Sequence, residues 1–433
     1  MADHARSDDP AVQAQLDRLA KLSPGADTLG LERITALLER LSNPHLSLPP
    51  VFHVAGTNGK GSTCAVLRAA LEGDGKKVHV YTSPHLVRFN ERIRLAGELI
   101  SDAMLAAYLS RVLDQAEGIG ASFFEVTTAV AFLAFHEHPA DACIIEVGLG
   151  GRLDATNVLG STAASGVAQL GIDHEAFLGS AIEGIAREKA AIARPGRPLV
   201  TLAYPFEVRE AVAETARAQG SYVLREGSDW SCLALPDMLK VVVEGRTVEA
   251  DLPALPGLHQ AQNAGLAIAM LLSQKIVDVS AAALKAAPAK MLWPARLQTL
   301  SDGPLTDRAP GRTVRLDGGH NISAAEALAR WLATEPQHIL IIGMLANKDA
   351  AGLIATLASR IKGVIAVPIP GHDHHGPADL ALLAEQHGIT SVTASNLTQA
   401  MAMAAHFPDA PILIAGSLYL AGEALRLNRE FPV

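Results

Sequence analysis

The sequence predicts an α/β protein built from two series of parallel strands and crossover helices. Three observations lead to this prediction. Short apolar runs alternate with helical patterns along most of the chain, one of these runs leads through a glycine-rich turn into a helix, and a Pro- and Gly-rich segment separates the two series.

The first series occupies the larger part of the chain. Its predicted helices are "STCAVLRAALEG", "FEVTTAVAFLAFHEH" and "AIEGIAREKAAIA", and its predicted strands are "LPPVFHVAG", "KVHVYTS", "ACIIEVGLG" and "RPLVTLA". The stretch "LKVVVEGRTVEADLP" has a different pattern, which predicts a β-hairpin inserted near the end of this series.

The second series begins near residue 297. Its predicted helix is "SAAEALARWLAT", and its predicted strands are "RTVRLDGG", "HILIIGML", "GVIAVPIP" and "APILIAGS". The segment "WPARLQTLSDGPLTDRAPGR" between the series is rich in Pro and Gly. A chain of 433 residues is too long for one ordinary core, so we predict two domains, 1–296 and 297–433.

Composition and charge exclude several classes of function. A net charge of -9 leaves no broad basic surface for nucleic acid or an anionic membrane. The three cysteines have neither metal-binding nor disulfide spacing, which is typical of reduced thiols in a cytoplasmic protein. The polar N-terminus does not resemble a signal peptide, and no apolar run has membrane-spanning length.

The stretch "VAGTNGKGST", residues 54–63, has the composition of a phosphate-binding loop with an unusual spelling. The common pattern places Ser or Thr directly after the lysine, whereas here Gly61 follows Lys60. A strand, a glycine-rich turn and a helix in this order present backbone N–H groups and a helix N-terminus to an anion. A tight turn without a ligand is the alternative, but it gives the lysine no purpose.

The irregular loop makes a metal ligand at Ser62 uncertain, so other residues are needed. Ser83 and Glu146 end two predicted strands, where open α/β sheets place their ligands. Glu146 ends an apolar strand, where an acid is costly unless it is paired or binds a metal. The alternative to a metal-binding role for Glu146 is a structural salt bridge. His174, in "GIDHEAFLG", is a candidate ligand for a second metal or one half of a local Asp–His pair.

Seven motifs occur in an order that resembles one enzyme family: "HVAGTNGKGST", "TSPHLVRFNERIR", "EVGLGGRLDATN", "GIDHEAFLG", "REKAAIA", "QNAGLAI" and "LDGGHN". Together they resemble folylpolyglutamate synthase/dihydrofolate synthase, a branch of the Mur ligase superfamily. The glycine after the P-loop lysine is part of this family's own loop. The resemblance implies that 1–296 is a Mur-ligase-type P-loop ATPase domain with a pterin-site segment, and that 297–433 is a smaller Rossmann-like glutamate-ligase domain.

The resemblance also implies the reaction. ATP, bound between two domains, phosphorylates a substrate carboxylate, and the amine of L-glutamate attacks the acyl phosphate to give an amide, ADP and phosphate. The implied substrates are dihydropteroate and reduced folates. Two Mg²⁺ ions are implied, with ATP as a co-substrate, and a monovalent cation is a further candidate. A cytoplasmic monomer without nucleic-acid or membrane partners is expected.

Several residues take nucleotide or metal roles by this resemblance. Ser83 and Glu146 would hold one Mg²⁺ ion, and His174 a second. Lys189 matches a lysine that is carbamylated in the family, although its sequence context also fits an exposed helix lysine. The implied catalytic residues are Lys60, Lys189 and His174, and the implied nucleotide contacts are Thr57, Asn58, Gly59, Lys60, Gly61, Ser62, Asn263, Arg296 and Asp317.

The implied pterin site comes from three segments. One belongs to "DTLGLERI", one to "SFFEVTT" and one to "GGRLDATN". Phe123 and Phe124 could stack on a flat ring, and core packing is the alternative for one of them. The full set is Asp27, Thr28, Leu29, Gly30, Ser122, Phe123, Phe124, Glu125, Arg152, Leu153, Asp154 and Ala155.

Two histidine-containing motifs leave alternatives open. His320 and Asn321 follow Asp317, and "GGHN" also fits a turn that caps the next helix. His372, His374 and His375 lie in "IPGHDHHGPADL", which predicts a substrate-rim loop or a solvated turn more readily than a zinc site, because cysteine and acidic partners are lacking apart from Asp373.

Three other functions are compatible with parts of this sequence. A monofunctional folylpolyglutamate synthase shares most of these motifs. A Mur-type ligase for cell-wall precursors carries a large N-terminal domain, and this chain reaches its phosphate loop by residue 56. A non-catalytic nucleotide switch would hydrolyse ATP slowly and ignore glutamate.

Overall fold

A computed structural model describes residues 5–22 and 29–432. The chain forms two compact units: the described part of Met1–Ala254 with His259–Leu292, and Leu255–Leu258 with the described part of Trp293–Val433. The division after Leu292 lies a few residues before the predicted boundary at 296. No helix in the described part of the chain has both the length and the apolar character needed to cross a membrane.

The first unit contains a sheet of eight strands in the order β4-β3-β2-β5-β1-β6-β7-β8. The strands are β1 (Val51–Ala55), β2 (Val78–Tyr81), β3 (Ile93–Leu95), β4 (Glu98–Leu99), β5 (Ala142–Glu146), β6 (Ala164–Val167), β7 (Pro198–Thr201) and β8 (Tyr222–Arg225). The strands from β2 to β8 in this order pair in parallel, which confirms the predicted α/β architecture. At one edge β3 and β4 pair antiparallel, and neither strand was predicted from the sequence.

A smaller antiparallel sheet completes the strands of this unit. It consists of β9 (Trp230–Ala234), β10 (Leu239–Val243) and β11 (Arg246–Ala250), and β10 pairs with both neighbours. The predicted hairpin is thus confirmed, with one further strand beside it.

Helices cover the large sheet because the strands are apolar on both faces. One core packs residues such as Leu37, Phe132 and Ile145, and a second packs Ala186, Leu199 and Val212. The helices are α1 (Pro10–Leu22), α2 (Glu32–Arg40), α3 (Lys60–Gly73), α4 (Asp102–Ala116), α5 (Phe123–Glu137), α6 (Glu175–Leu178), α7 (Ile182–Ala190), α8 (Phe206–Ala218), α9 (Leu258–Leu272) and α10 (Ala281–Lys290).

The second unit has one sheet of six strands in the order β12-β13-β17-β14-β15-β16, parallel except for β12. The strands are β12 (Gln298–Thr299), β13 (Val314–Leu316), β14 (His338–Ile342), β15 (Ile361–Ala366), β16 (Ser391–Thr393) and β17 (Ile412–Ala415). The helices are α11 (Ile322–Leu332), α12 (Ala350–Leu357), α13 (Pro377–Glu385), α14 (Leu397–Ala404) and α15 (Leu418–Asn428). The segment predicted to separate the two series therefore contributes β12 to this sheet.

Candidate active site

Four neighbouring strands of the first unit end at the same edge of the sheet. In the order β2, β5, β1 and β6, all four run parallel, with Tyr81 beside Ile145, Val54 beside Glu146 and Ala55 beside Val167. Their carboxyl ends lead to the loop with Ser83, to Glu146, to the phosphate loop and to the loop with His174. The edge where ligands bind in open α/β sheets thus carries the predicted phosphate and metal residues together.

The phosphate loop ends at the N-terminus of α3. Gly59 is the N-cap with φ 84°, a left-handed conformation that suits glycine, and Lys60, Gly61 and Ser62 form the first turn. Backbone N–H groups in a first helical turn have no carbonyl partner within the helix, and they point toward any anion placed there. Lys60 Nζ donates to the carbonyls of Gly56 at 3.1 Å and Thr57 at 3.4 Å, so its ammonium lies over the loop.

The backbone N–H groups of Thr57 and Asn58 bind a carbonyl of the protein and do not point toward a phosphate. Both donate to the carbonyl of Gln169, at 2.7 and 3.3 Å. The Thr57 hydroxyl donates to the carbonyl of Gly171 at 2.8 Å and accepts from its N–H at 3.1 Å. These two residues therefore attach the phosphate loop to the segment that leads to His174, and this contact was not visible in the sequence.

Asn263, a predicted nucleotide contact, lies behind the phosphate loop in the same unit. It is buried, and a Cβ placed on Gly59 would collide with its side-chain amide. Its Nδ2 donates to Oε1 of Gln260 at 3.1 Å. Gln260, in the same "HQAQNAG" stretch, was missed because nothing in the local pattern distinguishes it from Gln262.

Glu146 and Ser83 lie side by side. Oε2 of Glu146 accepts from the backbone N–H of Ser83 at 3.3 Å, and the Glu146 side chain is only 4 % exposed. A buried carboxylate next to a hydroxyl residue has the hard oxygen chemistry that Mg²⁺ prefers.

His174 begins α6 and is exposed, with a left-handed φ of 55°. Its N–H donates to the carboxylate of the preceding Asp173 at 2.8 Å. Among residues 5–22 and 29–432, no three His, Cys, Asp or Glu side chains form a group able to hold a metal ion. A metal at this edge would need further oxygen ligands from substrate or water in addition to the protein residues.

Lys189 is the residue for which sequence and structure differ most. It lies in α7 and is 5 % exposed, so its interpretation as an exposed helix lysine is wrong. Burial, followed by the positive charge of Lys60, lowers the pKa of Lys189 to about 7, although Asp154, Asp173 and Glu188 act in the opposite direction. The burial of Lys189 depends on contacts with distant segments, so the local sequence of α7, which mixes polar and apolar residues, does not predict it.

The loop after β5 is held by Asp154. Its Oδ2 accepts from the backbone N–H of Leu149 at 2.8 Å, and its Oδ1 accepts from the N–H of Thr156 at 3.0 Å. Arg152 is exposed and forms an ion pair with Glu188 at 2.8 Å, while its N–H donates to the Glu188 carbonyl. Leu153 is half-buried and Ala155 buried. Asp154 thus has a structural task in addition to its predicted substrate contact.

The start of α5 carries the predicted aromatic wall. Phe123 is buried beside Phe89 at a ring distance of 6.0 Å, so the core-packing alternative describes Phe123. Phe124 is half-buried, lies 6.0 Å from the Tyr81 ring, and would collide with any Cβ at Gly148. Of the two rings, Phe124 is the less buried one.

Ser122 and Glu125 form a capping box at the N-terminus of α5, where Ser122 Oγ accepts from the Glu125 N–H at 3.3 Å and Glu125 Oε2 accepts from the Ser122 N–H at 2.6 Å. The same Glu125 oxygen pairs with Nε of Arg33 at 3.0 Å. Arg33 belongs to the predicted segment 27–34, so the ion pair joins two of the three pterin-site segments. Leu29 and Gly30 precede α2, whereas Asp27 and Thr28 lie outside the described residues.

Arg296 and Asp317 come together within the second unit. Asp317 accepts from the N–H of Leu297 at 2.9 Å and from that of Gly319 at 2.8 Å. Arg296 Nη1 donates to the carbonyl of Ala295 at 2.8 Å and lies where a Cβ on Gly318 would be.

The turn after Asp317 caps the next helix. Asn321 Oδ1 accepts from the Ala324 N–H at 2.9 Å as the N-cap of α11, and His320 Nδ1 lies 3.1 Å from the Gly318 carbonyl. The interpretation of "GGHN" as a capping turn is confirmed for Asn321.

The three histidines of "GHDHHG" make separate local contacts. The His372 ring stacks on Tyr419 at 3.8 Å, His374 Nδ1 lies 2.7 Å from the His372 carbonyl, and His375 Nε2 lies 2.8 Å from the Lys348 carbonyl. In the described part of the chain they belong to no metal-binding group.

Comparison with known proteins gives consistent matches along the chain. A family model described as dihydrofolate synthetase, C-terminal domain, matches residues 306–427. The dihydrofolate synthase/folylpolyglutamate synthase of Escherichia coli is 35 % identical over 360 residues, which cover 82 % of this chain and 81 % of that protein.

Solved structures match both units. The FolC protein of Escherichia coli in complex with DHPP and ADP has a TM-score of 0.87 at 31 % identity, covering 97 % of this chain and 98 % of that one. The bifunctional folylpolyglutamate synthase/dihydrofolate synthase of Yersinia pestis complexed with AMPPNP and a Mn ion has a TM-score of 0.85 at 30 % identity, covering 96 % and 97 %.

Proposed function

The chain belongs to the dihydrofolate synthase/folylpolyglutamate synthase family, and from that premise we propose that it is an ATP-dependent, ADP-forming ligase that adds L-glutamate to dihydropteroate and to reduced folates. The observation that carries the proposal is the edge where β2, β5, β1 and β6 end. The phosphate loop with Lys60 and the buried carboxylate of Glu146 follow neighbouring strands there, and the buried Lys189 is close enough to Lys60 for the positive charge of Lys60 to lower its pKa.

The reaction has two steps. A carboxylate oxygen of the acid substrate attacks the γ-phosphorus of ATP, and the bond from that phosphorus to the ADP oxygen breaks. The glutamate amine then attacks the acyl carbon of the acyl phosphate, phosphate leaves with the bonding pair, and the nitrogen loses a proton. Positioning and charge stabilisation supply most of the rate in such phosphoryl transfers.

The first turn of α3 supplies the phosphate-binding groups. The N–H groups of Lys60, Gly61 and Ser62 would donate to the β- and γ-phosphates. The Lys60 ammonium, which donates to the carbonyls of Gly56 and Thr57, would donate to phosphate oxygens instead. Asn263 supports the loop from behind. Arg296 and Asp317 stay predicted nucleotide contacts.

Ser83, Glu146 and His174 are the residues that would hold magnesium. The buried Glu146 carboxylate and the adjacent Ser83 fit a hard cation, and the ion would supply positive charge for the triphosphate and for the oxygens of the transferred phosphoryl group. A divalent ion agrees with the Mn complex of the Yersinia pestis relative. Two ions and a monovalent cation stay predictions.

Lys189 is proposed to be carbamylated. The neutral amine attacks the carbon of CO₂, and the nitrogen releases one proton to solvent as the carbamate forms. A lysine whose pKa is about 7 is neutral in a large fraction of molecules near neutral pH. The carbamate replaces a cation with an anion, which removes the repulsion from Lys60 and suits a neighbouring metal.

The pterin end of the substrate is assigned to the half-buried face of Phe124, with Leu29, Gly30 and the Arg33–Glu125 pair beside it. Asp27 and Thr28 complete the predicted set. Bifunctionality is favoured because relatives named for both activities match most of the chain. The cytoplasmic location and the monomeric state stay predictions.

The test is ADP release from the purified chain with ATP, Mg²⁺, and either dihydropteroate or tetrahydrofolate, each with and without L-glutamate. Glutamate-dependent ADP release with both acids is expected. Slow ATP hydrolysis that ignores glutamate would identify a nucleotide switch, and release with tetrahydrofolate alone would identify a monofunctional folylpolyglutamate synthase. Leu29→Asp should reduce the dihydropteroate reaction more than the folate reaction.

A further inference from the structure

The strand that leads into the phosphate loop contains a buried histidine to which the proposed reaction gives no task. His53 is the third residue of β1, and its side chain is fully buried. Burial, followed by the positive charge of Arg194, holds the pKa of His53 well below its ordinary value, so the imidazole is neutral. A buried polar ring requires hydrogen-bond partners to offset its desolvation.

The partner of His53 is Thr156. Nε2 of His53 lies 2.9 Å from Oγ1 of Thr156, and the Thr156 hydroxyl donates to Oδ1 of Asp154. Because a hydroxyl has a single hydrogen, Thr156 accepts from His53 while it donates to Asp154. His53 is therefore protonated on Nε2, and a directed chain of hydrogen bonds runs from β1 to the Asp154 carboxylate.

Asp154 connects these hydrogen bonds to the loop after β5. It is 3 % exposed, and its second oxygen accepts from the N–H of Leu149 at 2.8 Å. Within that loop, Gly148 lies against the Phe124 ring, and Gly151 lies against the backbone of Lys189, because a Cβ on either glycine would collide there. A shift of the Asp154 carboxylate would therefore move the contacts of Phe124 and Lys189 together.

We propose that His53 and Thr156 are positioning residues for the acid substrate. Through Asp154 they fix the loop that supports Phe124 against the strand that leads into the phosphate loop. The spacing between the pterin end and the γ-phosphate then stays constant during phosphoryl transfer. This inference rests on the proposed function, because it takes Phe124 as part of the pterin wall.

Paired substitutions separate positioning from general stability. Thr156→Val keeps the shape of the side chain and removes the hydroxyl, whereas Thr156→Ser keeps the hydroxyl. His53→Leu removes the donor from the other end of the chain, and His53→Gln restores an N–H donor. Thr162→Val is the matched control, since Thr162 is also buried and its hydroxyl lies 3.3 Å from that of Ser165, which donates to the Ile192 carbonyl and not to His53, Thr156 or Asp154.

Steady-state kinetics and thermal unfolding of the full chain test the proposal. Thr156→Val and His53→Leu should each raise KM for dihydropteroate by about tenfold, because each removes a buried hydrogen bond from the series that ends at Asp154, with KM for ATP unchanged within about twofold. Thr156→Ser and His53→Gln should recover most of the affinity. Thr162→Val should lower Tm and leave both KM values unchanged.

Two results would overturn separate statements. An unchanged KM for dihydropteroate with a lowered Tm, in Thr156→Val or in His53→Leu, would show that these hydrogen bonds have a structural role only. If Thr156→Val does not fold, the result for His53→Leu decides between the two roles. Failure of the wild-type chain to release ADP with dihydropteroate and glutamate would instead overturn the proposed function, and the positioning role with it.

Discussion

Lys189→Met should stabilise the protein in a way that depends on pH, while it abolishes ligation. The wild-type pKa falls from an ordinary 10.5 to about 7 because the amine is buried and lies near Lys60. This drop corresponds to roughly 5 kcal/mol of free energy that the charged lysine costs the folded state. Methionine fills a similar volume without a charge and removes that cost.

The sign follows from proton binding. Between about pH 7 and pH 10.5 the unfolded chain binds the Lys189 proton more tightly than the folded chain, so wild-type stability rises with pH in this window. The cost is therefore full below about pH 7. The advantage of Lys189→Met should shrink by roughly 2 to 3 kcal/mol between about pH 7 and about pH 9.

Urea unfolding at these two pH values, in buffers free of CO₂, measures the difference. Arg187→Met is the control, because Arg187 lies in the same helix with its side chain 54 % exposed. A stability difference between Lys189→Met and wild type that stays constant with pH would refute the lowered pKa. Activity that is retained in Lys189→Met would refute its catalytic part.

Three further substitutions test the other parts of the site. Lys60→Ala should reduce kcat by at least about 100-fold in a folded protein, because the positive charge that stabilises the transferred phosphoryl group is lost. Lys77→Ala, at an exposed lysine, should leave kcat unchanged. Glu146→Gln should raise the Mg²⁺ concentration needed for activity, and a wild-type magnesium titration would make Glu146 structural. Gly148→Val should raise KM for the pterin acid about tenfold, because a side chain there displaces Phe124; equal increases in KM for ATP would contradict that local effect.

Local pattern was sufficient for much of the fold. The strands β1, β2, β5 and β7 were predicted as short continuous apolar runs, and the helices α3, α5 and α7 were predicted from longer helical patterns. The strands β3, β4, β6, β8, β9, β12 and β16 were not predicted. Of these, β3, β4, β12 and β16 have only two or three residues, and their pairing depends on contacts with distant segments.

The parts of the site that depend on a short sequence motif were predictable. The glycine-rich loop and an acid at the end of an apolar strand are visible in short windows, and the structure brings both to one edge of the sheet. The burial of Lys189, the Arg33–Glu125 ion pair and the attachment of Thr57 to Gly171 join residues far apart in sequence. No periodicity encodes such contacts, so the sequence analysis could not find them.

A competition experiment tests most directly whether one site adds glutamate to two acids. Dihydropteroate is added at increasing concentration to the tetrahydrofolate reaction, and the polyglutamate product is measured by mass. Competitive inhibition is expected, with an inhibition constant equal to the KM of dihydropteroate in its own ADP-forming reaction. Failure of dihydropteroate to inhibit, or noncompetitive inhibition without turnover, would contradict a shared site.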